Sequence, residues 1–373
     1  MPGYFKKYIH RISLFIATVI LQYTGSVAQI SLPDYARLLK VPKQYTILNT
    51  VEKILVDGKD NEQAWSRAPW TADFTDIATG ATAETNKRAR CKMLWDSEHL
   101  YVYAEFQEQD IWASITQTDV AVFQDNAFEI FINPDGSNYN YFEFQINALG
   151  TTADLLLTRP YRNGGRPFSS WDIKGLQKAV HINGTLNNPA DRDNSWSIEL
   201  AIPFSALDFR KNMIKAGTIW RMNFSRVQWQ LDTINGGYAR KKDKASGRPL
   251  PEHYDVWSPQ GLVNLHYPER WGYVQFANTL SPGGFLNEAA ENLKLTLWKY
   301  YYLQQQFNRA NGKYAATIAQ LDKLAEGLPD TKVTGEHIQM FVNEKQFYIQ
   351  GKLPGYTEYI TIDHKGELRT EHK

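Results

Sequence analysis

The sequence predicts a mainly β protein, an antiparallel β-sandwich followed by a small α+β appendage. Three observations predict it. Apolar and polar residues alternate with period two in runs rich in aromatic and β-branched side chains, the mark of half-buried strands. Turn signals separate those runs, and no helical periodicity falls between them, which argues against a parallel sheet. After Phe276 the period changes to that of a helix.

The strands follow in order. Leu100, Val102, Ala104 and Phe106 alternate with Tyr101, Tyr103 and Glu105. Phe128, Ile130 and Ile132 alternate with Ala127, Glu129 and Phe131. Phe142, Phe144 and Ile146 alternate with Tyr141, Glu143, Gln145 and Asn147. Trp196, Ile198, Leu200 and Ile202 alternate with Ser197, Glu199 and Ala201, and residues 203–207 read as one helical turn. Turns fall at Asn133-Pro134-Asp135-Gly136, Asn163-Gly164-Gly165 and Asn183-Gly184. Residues 277–285 form a linker, with Ser281-Pro282-Gly283-Gly284 at its centre. Beyond it, 288–309 carry a helical stripe of Leu293, Leu297, Tyr301 and Gln304. Asn311-Gly312 interrupts, and Tyr314, Ile318, Leu321 and Ala325 continue a second stripe to Gly327. Residues 338–342, 346–349 and 359–362 read as three short strands, so 286–373 form the α+β appendage.

Residues 1–28 read as a secretory signal. Lys6, Lys7, His10 and Arg11 form the basic region, residues 12–21 the apolar run, and Ser26-Val27-Ala28 the cleavage site. The apolar run is too short for a membrane span, and no cysteine lies near the cut to carry a lipid. The expectation is a secreted, periplasmic or cell-surface protein with no membrane span after cleavage. Residues 29–50 then form a leader, and 51–276 the sandwich.

Composition narrows the function. The chain has 373 residues, with 41 Lys plus Arg against 40 Asp plus Glu, a balance that offers no field to draw nucleic acid. The single cysteine, Cys91, can close no intrachain disulfide and reads as a buried strand residue. Residues 235–252 hold Arg240, Lys241, Lys242, Lys244 and Arg248. This run reads either as a grip on an anionic polymer or as a solvated loop, and the balance elsewhere favours the loop. No GxSxG, HExxH or P-loop pattern occurs, and the eight histidines are scattered. Catalysis is not expected.

Candidate residues carry their own local readings. Trp65, Trp95, Trp196, Trp220 and Trp271 lie at core positions, and Trp112, Trp171, Trp229 and Trp257 lie at strand ends or loops, where core packing is favoured over ligand contact but both stay open. Arg226 shares a face with Met222 and Phe224, and needs a partner such as Glu129, Glu143 or Glu199. Glu269 and Arg270 read as a local pair. Asp57, Asp60, Asp96, Asp110 and Asp125 sit at turns, where they shape the turn or converge on calcium.

An ordered set of short segments carries a resemblance. It runs Val56-Asp57-Gly58 with Trp65, then Leu94-Trp95-Asp96 with Leu100-Tyr101-Val102, then Asp125 through Ile132. Tyr141-Phe142-Glu143-Phe144 with Asn147 follows, then Trp196 through Pro203 and Asn223 through Val227. Trp257-Ser258-Pro259 and Pro268 through Gly272 complete it. Over about residues 51–276 the chain resembles the carbohydrate-binding module family 9-like secreted bacterial proteins. The appendage lies outside the resemblance.

The resemblance implies a jelly-roll-like sandwich that binds the ends of β-linked glucans and xylans between two Trp rings. It also implies that a structural calcium is possible. Glu129 matches the family glutamate. The family arginine aligns with Gln145, and the two clamp positions hold Val122 or Phe123 and the Leu265-His266-Tyr267 stretch. The expected ligand-binding set is therefore Glu129, Gln145, Asn223, Arg226, Phe123, Trp112, His266 and Tyr267. The first expectation is carbohydrate binding without turnover, tied to polysaccharide capture or breakdown. The second is a structural or partner-binding protein that lost the sugar site, with the appendage as docking element. The third is a cryptic glycoside hydrolase.

Overall fold

A computed structural model describes residues 32–207, 214–280 and 283–372. The secretory signal read over 1–28 lies outside the described residues. Among the described residues no helix is long and apolar enough to cross a membrane.

The protein is a mainly β sandwich with a small α+β appendage at its C-terminus. The strands are β1 (Gln44–Asn49), β2 (Thr75–Asp76), β3 (Ala89–Trp95), β4 (His99–Gln107), β5 (Ala127–Asn133), β6 (Tyr141–Asn147) and β7 (Thr152–Leu157). They continue as β8 (Pro167–Phe168), β9 (Gln177–Asn183), β10 (Ser195–Pro203), β11 (Ile219–Gln228), β12 (Leu231–Ile234), β13 (Gly237–Arg240), β14 (His253–Val256) and β15 (Gly272–Ala277). The pairing path runs β8-β7-β6-β5-β11-β15-β1-β3-β4-β10-β9. It curls so that β5, β6 and β11 face β3, β4 and β10.

Period two explains the core between them. Phe128, Ile130, Ile132, Phe142, Phe144 and Phe224 meet Cys91, Val102, Ala104, Phe106, Trp196 and Ile198 in one buried cluster. Burial also pushes the Cys91 thiol pKa up, so the lone cysteine is an unreactive packing group. Every residue expected on the inner side of these strands is on it. The helical turn Phe204–Leu207 follows β10 as expected.

The segment read as a leader contributes a strand. β1 pairs in parallel with β15, from Gln44↔Tyr273 to Leu48↔Ala277, and then with β3 through Leu48↔Leu94 and Asn49↔Trp95. It joins the two halves of the sandwich at one corner. These are the two parallel pairings in the described sheets, where the sequence suggested antiparallel pairing throughout.

On the outer side of β10, Glu199 organises the stretch that includes Val56-Asp57-Gly58. Its carboxylate accepts from Trp65 Nε1 at 2.9 Å, Asp57 N at 2.8 Å and Gly58 N at 3.1 Å. Gly58 has φ +88, and a Cβ there would lie 2.9 Å from the His181 nitrogen, so both conformation and space require glycine. Burial raises the Glu199 pKa to about 7 in spite of these donors.

Arg226 is buried on the core-facing side of β11, paired across the ladder with Phe128. Its partner is Glu108, at 3.3 Å, with a further bond of 2.6 Å to the Lys87 carbonyl. The expected partners are excluded by geometry. Glu129 points to the opposite face of the sheet, opposite Ser225, and Glu199 is engaged by Trp65 on the outer side of the other layer. Glu108 also accepts from Trp196 Nε1 at 2.7 Å and from Asn126 Nδ2.

In the appendage the helix Glu288–Asn311 is capped by Asn287, which accepts from Ala290 N at 3.0 Å. Its expected stripe of Leu293, Leu297, Tyr301 and Gln304 is buried. The second helix spans only Ile318–Asp322, shorter than its periodicity suggested. Its sheet has four strands, β16 (His337–Val342), β17 (Phe347–Lys352), β18 (Glu358–Asp363) and β19 (Leu368–His372), one more than the sequence revealed. The long helix docks on the sandwich through Glu269, which accepts from Tyr302 OH at 2.6 Å and pairs with Arg162 at 2.9 Å. Arg270 instead donates to the Lys40 carbonyl. The expected Glu269–Arg270 pair is therefore wrong, because the short turn Pro268–Arg270 sends the two side chains to different partners.

Two stability measurements follow. In chemical denaturation, Arg226→Met is expected to cost about 3–5 kcal/mol by leaving Glu108 buried and unpaired, and adding Glu108→Gln is expected to restore part of it. Tyr302→Phe removes one donor to Glu269 and is expected to cost about 1–2 kcal/mol by thermal unfolding.

Candidate functional site

The candidate site is the face of β7-β6-β5-β11 that points away from the core. The ladder places Ala153, Gln145, Glu129 and Ser225 in one row across the four strands. The next row is Leu155, Glu143, Phe131 and Asn223. Apolar clusters flank this polar centre on both sides. At one end Phe123, Trp229 and Tyr254 pack on Val122, Ala127, Ala153 and Val227. At the other, Tyr161 and Leu265 pack on Phe131, Tyr141, Leu157 and Trp271.

The polar centre is buried. Glu129 is 2% exposed, and Glu143 and Gln145 are each 5% exposed. Gln145 donates to Glu143 Oε1 at 2.6 Å and accepts from Phe123 N at 3.1 Å. Glu129 Oε2 and Ser225 Oγ have no hydrogen-bond partner among the described residues. The Ser225 hydroxyl lies near enough to favour a charged Glu129 but does not complete a bond. Burial first, then the neighbouring Glu143, holds the Glu129 pKa well above the carboxylate range. Burial raises Glu143 to about 7, opposed by its bond from Gln145. Burial and the proximity of the two carboxyls both favour their protonated forms.

His266 closes the far side of this centre. Its Nδ1 shares a 3.0 Å hydrogen bond with Tyr141 OH, and its ring stands edge-on to Tyr161 with centroids 4.5 Å apart. Its Nε2 lies 3.6 Å from Glu143 Oε2. Burial and the nearby Arg162 lower its pKa to about 3, so the imidazole is neutral and the contact is not an ion pair.

The structure thus gathers four of the expected residues, Glu129, Gln145, Phe123 and His266. It separates the others. Asn223 shares the face, but its amide donates to Ser258 O at 3.0 Å and accepts from Ser258 N at 2.9 Å, which fastens the Trp257-Ser258-Pro259 stretch. Arg226 points into the core, because it is one residue out of phase with Ser225. Trp112 is buried, and its neighbours are tied to Asp193 and Asn187 in the loop between β9 and β10. Tyr267 lies beneath the Arg162 guanidinium, 4.2 Å from ring to cation, and packs with the appendage.

Glu143, Ser225 and Tyr254 were not foreseen at the site, and Trp229 stood only among the tryptophans open to core packing or ligand contact. The signal for Glu143 and Ser225 was the alternation itself, since they stand two residues from Gln145 and Asn223. Trp229 and Tyr254 come together only through the pairing of β11 with β14.

The five aspartates weighed for calcium are engaged at their own positions. Asp125 accepts from Ser114 N, Ser114 Oγ, Ile115 N and Asn147 Nδ2 at 2.8 to 2.9 Å. Asp96 accepts from Glu98 N, His99 N and Tyr101 OH, each at 2.7 Å. Asp60 pairs with Lys92, Asp110 with Arg192, and Asp57 accepts from Lys59 N. A different set, Asp119, Asp154 and Asp172, brings carboxylate oxygens within 4.8 Å of one another.

Residues 56–225 match the family described as carbohydrate family 9 binding domain-like. Among solved structures, the chain is similar to a family 9 carbohydrate-binding module from Caldicellulosiruptor kristjanssonii in complex with glucose. The identity is 15%, the match covers 65% of this chain and 100% of that one, and the TM-score is 0.41. It is also similar to a family 9 module from the same organism in complex with cellotriose, at 15% identity, 66% and 100% coverage and a TM-score of 0.41. No curated protein matches the chain.

A pH measurement checks the carboxyl pair. A carboxyl group whose pKa is raised on folding releases its proton more readily in the unfolded chain, so it destabilises the fold as pH rises. For Glu143 that loss runs from near pH 4.5 to about 7. Glu143→Gln is expected to gain on the parent between pH 5 and pH 8 by on the order of 1–3 kcal/mol. Equal pH profiles for the two proteins, followed by thermal unfolding, would refute the buried-pair assignment.

Proposed function

We propose that this protein binds carbohydrate without turning it over, as an exported bacterial protein that serves polysaccharide capture or breakdown. The observation that carries this reading is the unpartnered pair, Glu129 Oε2 and Ser225 Oγ, in a polar strip between two aromatic clusters. A pyranose presents an apolar C–H face and a belt of hydroxyls. Rings cover the first, and unpaired carboxyl and hydroxyl oxygens meet the second. Leaving such groups unsatisfied costs about 1–3 kcal/mol each, which a sugar hydroxyl would offset. The family of residues 56–225 supports the same reading.

The burial of Glu129, Gln145 and Asn223 favours a second reading, a sandwich that kept its polar strip as structure and works through a protein partner of the appendage. Glycoside hydrolysis is less well supported. It needs one ionised carboxylate beside one acid, and here burial raises both Glu129 and Glu143.

Calorimetry against β-glucans, xylans, mannans and pectins, with calcium and with chelator, tests the reading. Saturable binding is expected, with Phe123→Ala and Glu129→Ala each weakening it roughly tenfold or more. A calcium requirement would appear as lost binding or stability in chelator. A folded protein silent on every glycan would leave the second reading in place.

A further inference from the structure

We propose that the site continues onto the basic ribbon of residues 240–248 and that its ligand is an acidic polysaccharide bearing uronate carboxylates. This inference rests on the carbohydrate-binding reading and names the ligand class.

The ribbon is continuous with the site. Phe123 N donates to Gln145 Oε1 at 3.1 Å, and Trp229 Nε1 donates to the Phe123 carbonyl at 2.9 Å. The Arg240 guanidinium then lies over the Trp229 ring, 4.7 Å from its centroid. Gln145, Phe123, Trp229 and Arg240 form one connected track, and both rings are partly exposed. Trp229 directly follows β11, the strand that also carries Ser225.

The ribbon is built rather than loose. β12 and β13 form a hairpin closed by Asn235-Gly236, both in the left-handed region with φ 52 and 77. The chain folds back again beyond it. Lys241 N bonds to the Gln230 carbonyl at 2.7 Å, Leu250 N to the Lys241 carbonyl at 2.8 Å, and Asp243 N to the Arg248 carbonyl at 2.8 Å. The ribbon therefore holds its cations in a fixed array.

Its charge is unbalanced. Residues 240–248 contain five cations, Arg240, Lys241, Lys242, Lys244 and Arg248, and one carboxylate, Asp243. Asp243 is engaged in its own turn, accepting from Ser246 N at 2.7 Å. Lys241, Lys242, Lys244 and Arg248 are exposed, and none makes an ion pair among the described residues. Elsewhere the chain is nearly neutral, so this excess is local. Like charges held this close repel one another, and an anionic chain laid along them relieves that repulsion. Planar guanidinium groups match planar carboxylates with two parallel bonds. Stacked on Trp229, Arg240 offers such a fork beside a ring suited to a sugar face.

The test measures affinity of the purified protein for oligogalacturonate, a neutral cello-oligosaccharide and dextran sulfate. Oligogalacturonate is expected to bind more tightly than either of the others, and to weaken as salt rises from about 50 to about 200 mM. The quadruple variant K241A/K242A/K244A/R248A is expected to lose about tenfold or more for oligogalacturonate while keeping its affinity for the neutral sugar. Arg240→Lys, which keeps the charge and loses the planar fork, is expected to weaken oligogalacturonate as well. Unchanged oligogalacturonate binding by the quadruple variant overturns the inference. Binding of the neutral sugar but not of oligogalacturonate overturns it and leaves the carbohydrate-binding reading standing. Dextran sulfate binding as tightly as oligogalacturonate reduces the ribbon to an unselective polyanion surface and also overturns it. Binding of none of the three overturns both readings.

Discussion

The buried carboxylate of Glu108 is the point on which the two layers and the candidate site both depend. It stands at the end of β4 and gathers Arg226 from β11, Trp196 from β10 and Asn126 from the approach to β5. One charge thereby ties strands from opposite layers. Asn126 passes the constraint outward, because its Oδ1 accepts from Trp229 N at 2.8 Å. Such a network is costly to desolvate and becomes favourable only when its members are paired. Its geometry is therefore demanding. The aromatic end of the outer face inherits its position from a polar knot inside the core.

The outer face shows a different balance. Two glutamates, a glutamine and a serine are buried there without a cation opposite them. Coulomb repulsion and desolvation act in the same direction, and both raise the carboxyl pKa values. A neutral carboxyl is both donor and acceptor, which suits recognition of hydroxyl groups better than of charged ones. This sets the strip apart from the basic ribbon a short way along the same track. In the proposed readings the strip meets hydroxyl groups and the ribbon meets carboxylates.

The appendage is integral to the fold of this end of the sandwich. Tyr302 and Arg162 meet on Glu269, Tyr35 stacks on Tyr302 with centroids 5.5 Å apart, and Tyr273 OH reaches Glu291 at 2.6 Å. Arg162 belongs to the same short turn as Tyr161, whose ring abuts His266. The helix Glu288–Asn311 therefore braces one wall of the candidate site.

The sequence by itself determined which side of each strand faces the core. Alternation of period two put Phe128, Phe144 and Trp196 on one side of their strands and Glu129, Gln145 and Ser197 on the other, because a strand has no other way to point its side chains. It also placed the long helix by its stripe and assembled the family resemblance from ordered motifs. What it did not hold were partners distant along the chain. That Arg226 would meet Glu108, that Glu269 would turn from Arg270 to Tyr302, and that residues 44–49 would join both layers are matters of pairing order. The tertiary structure alone decided whether the outer face lies open or buried. Local patterns record the direction of a side chain, while its neighbour across the sheet is set by which strands the fold brings together.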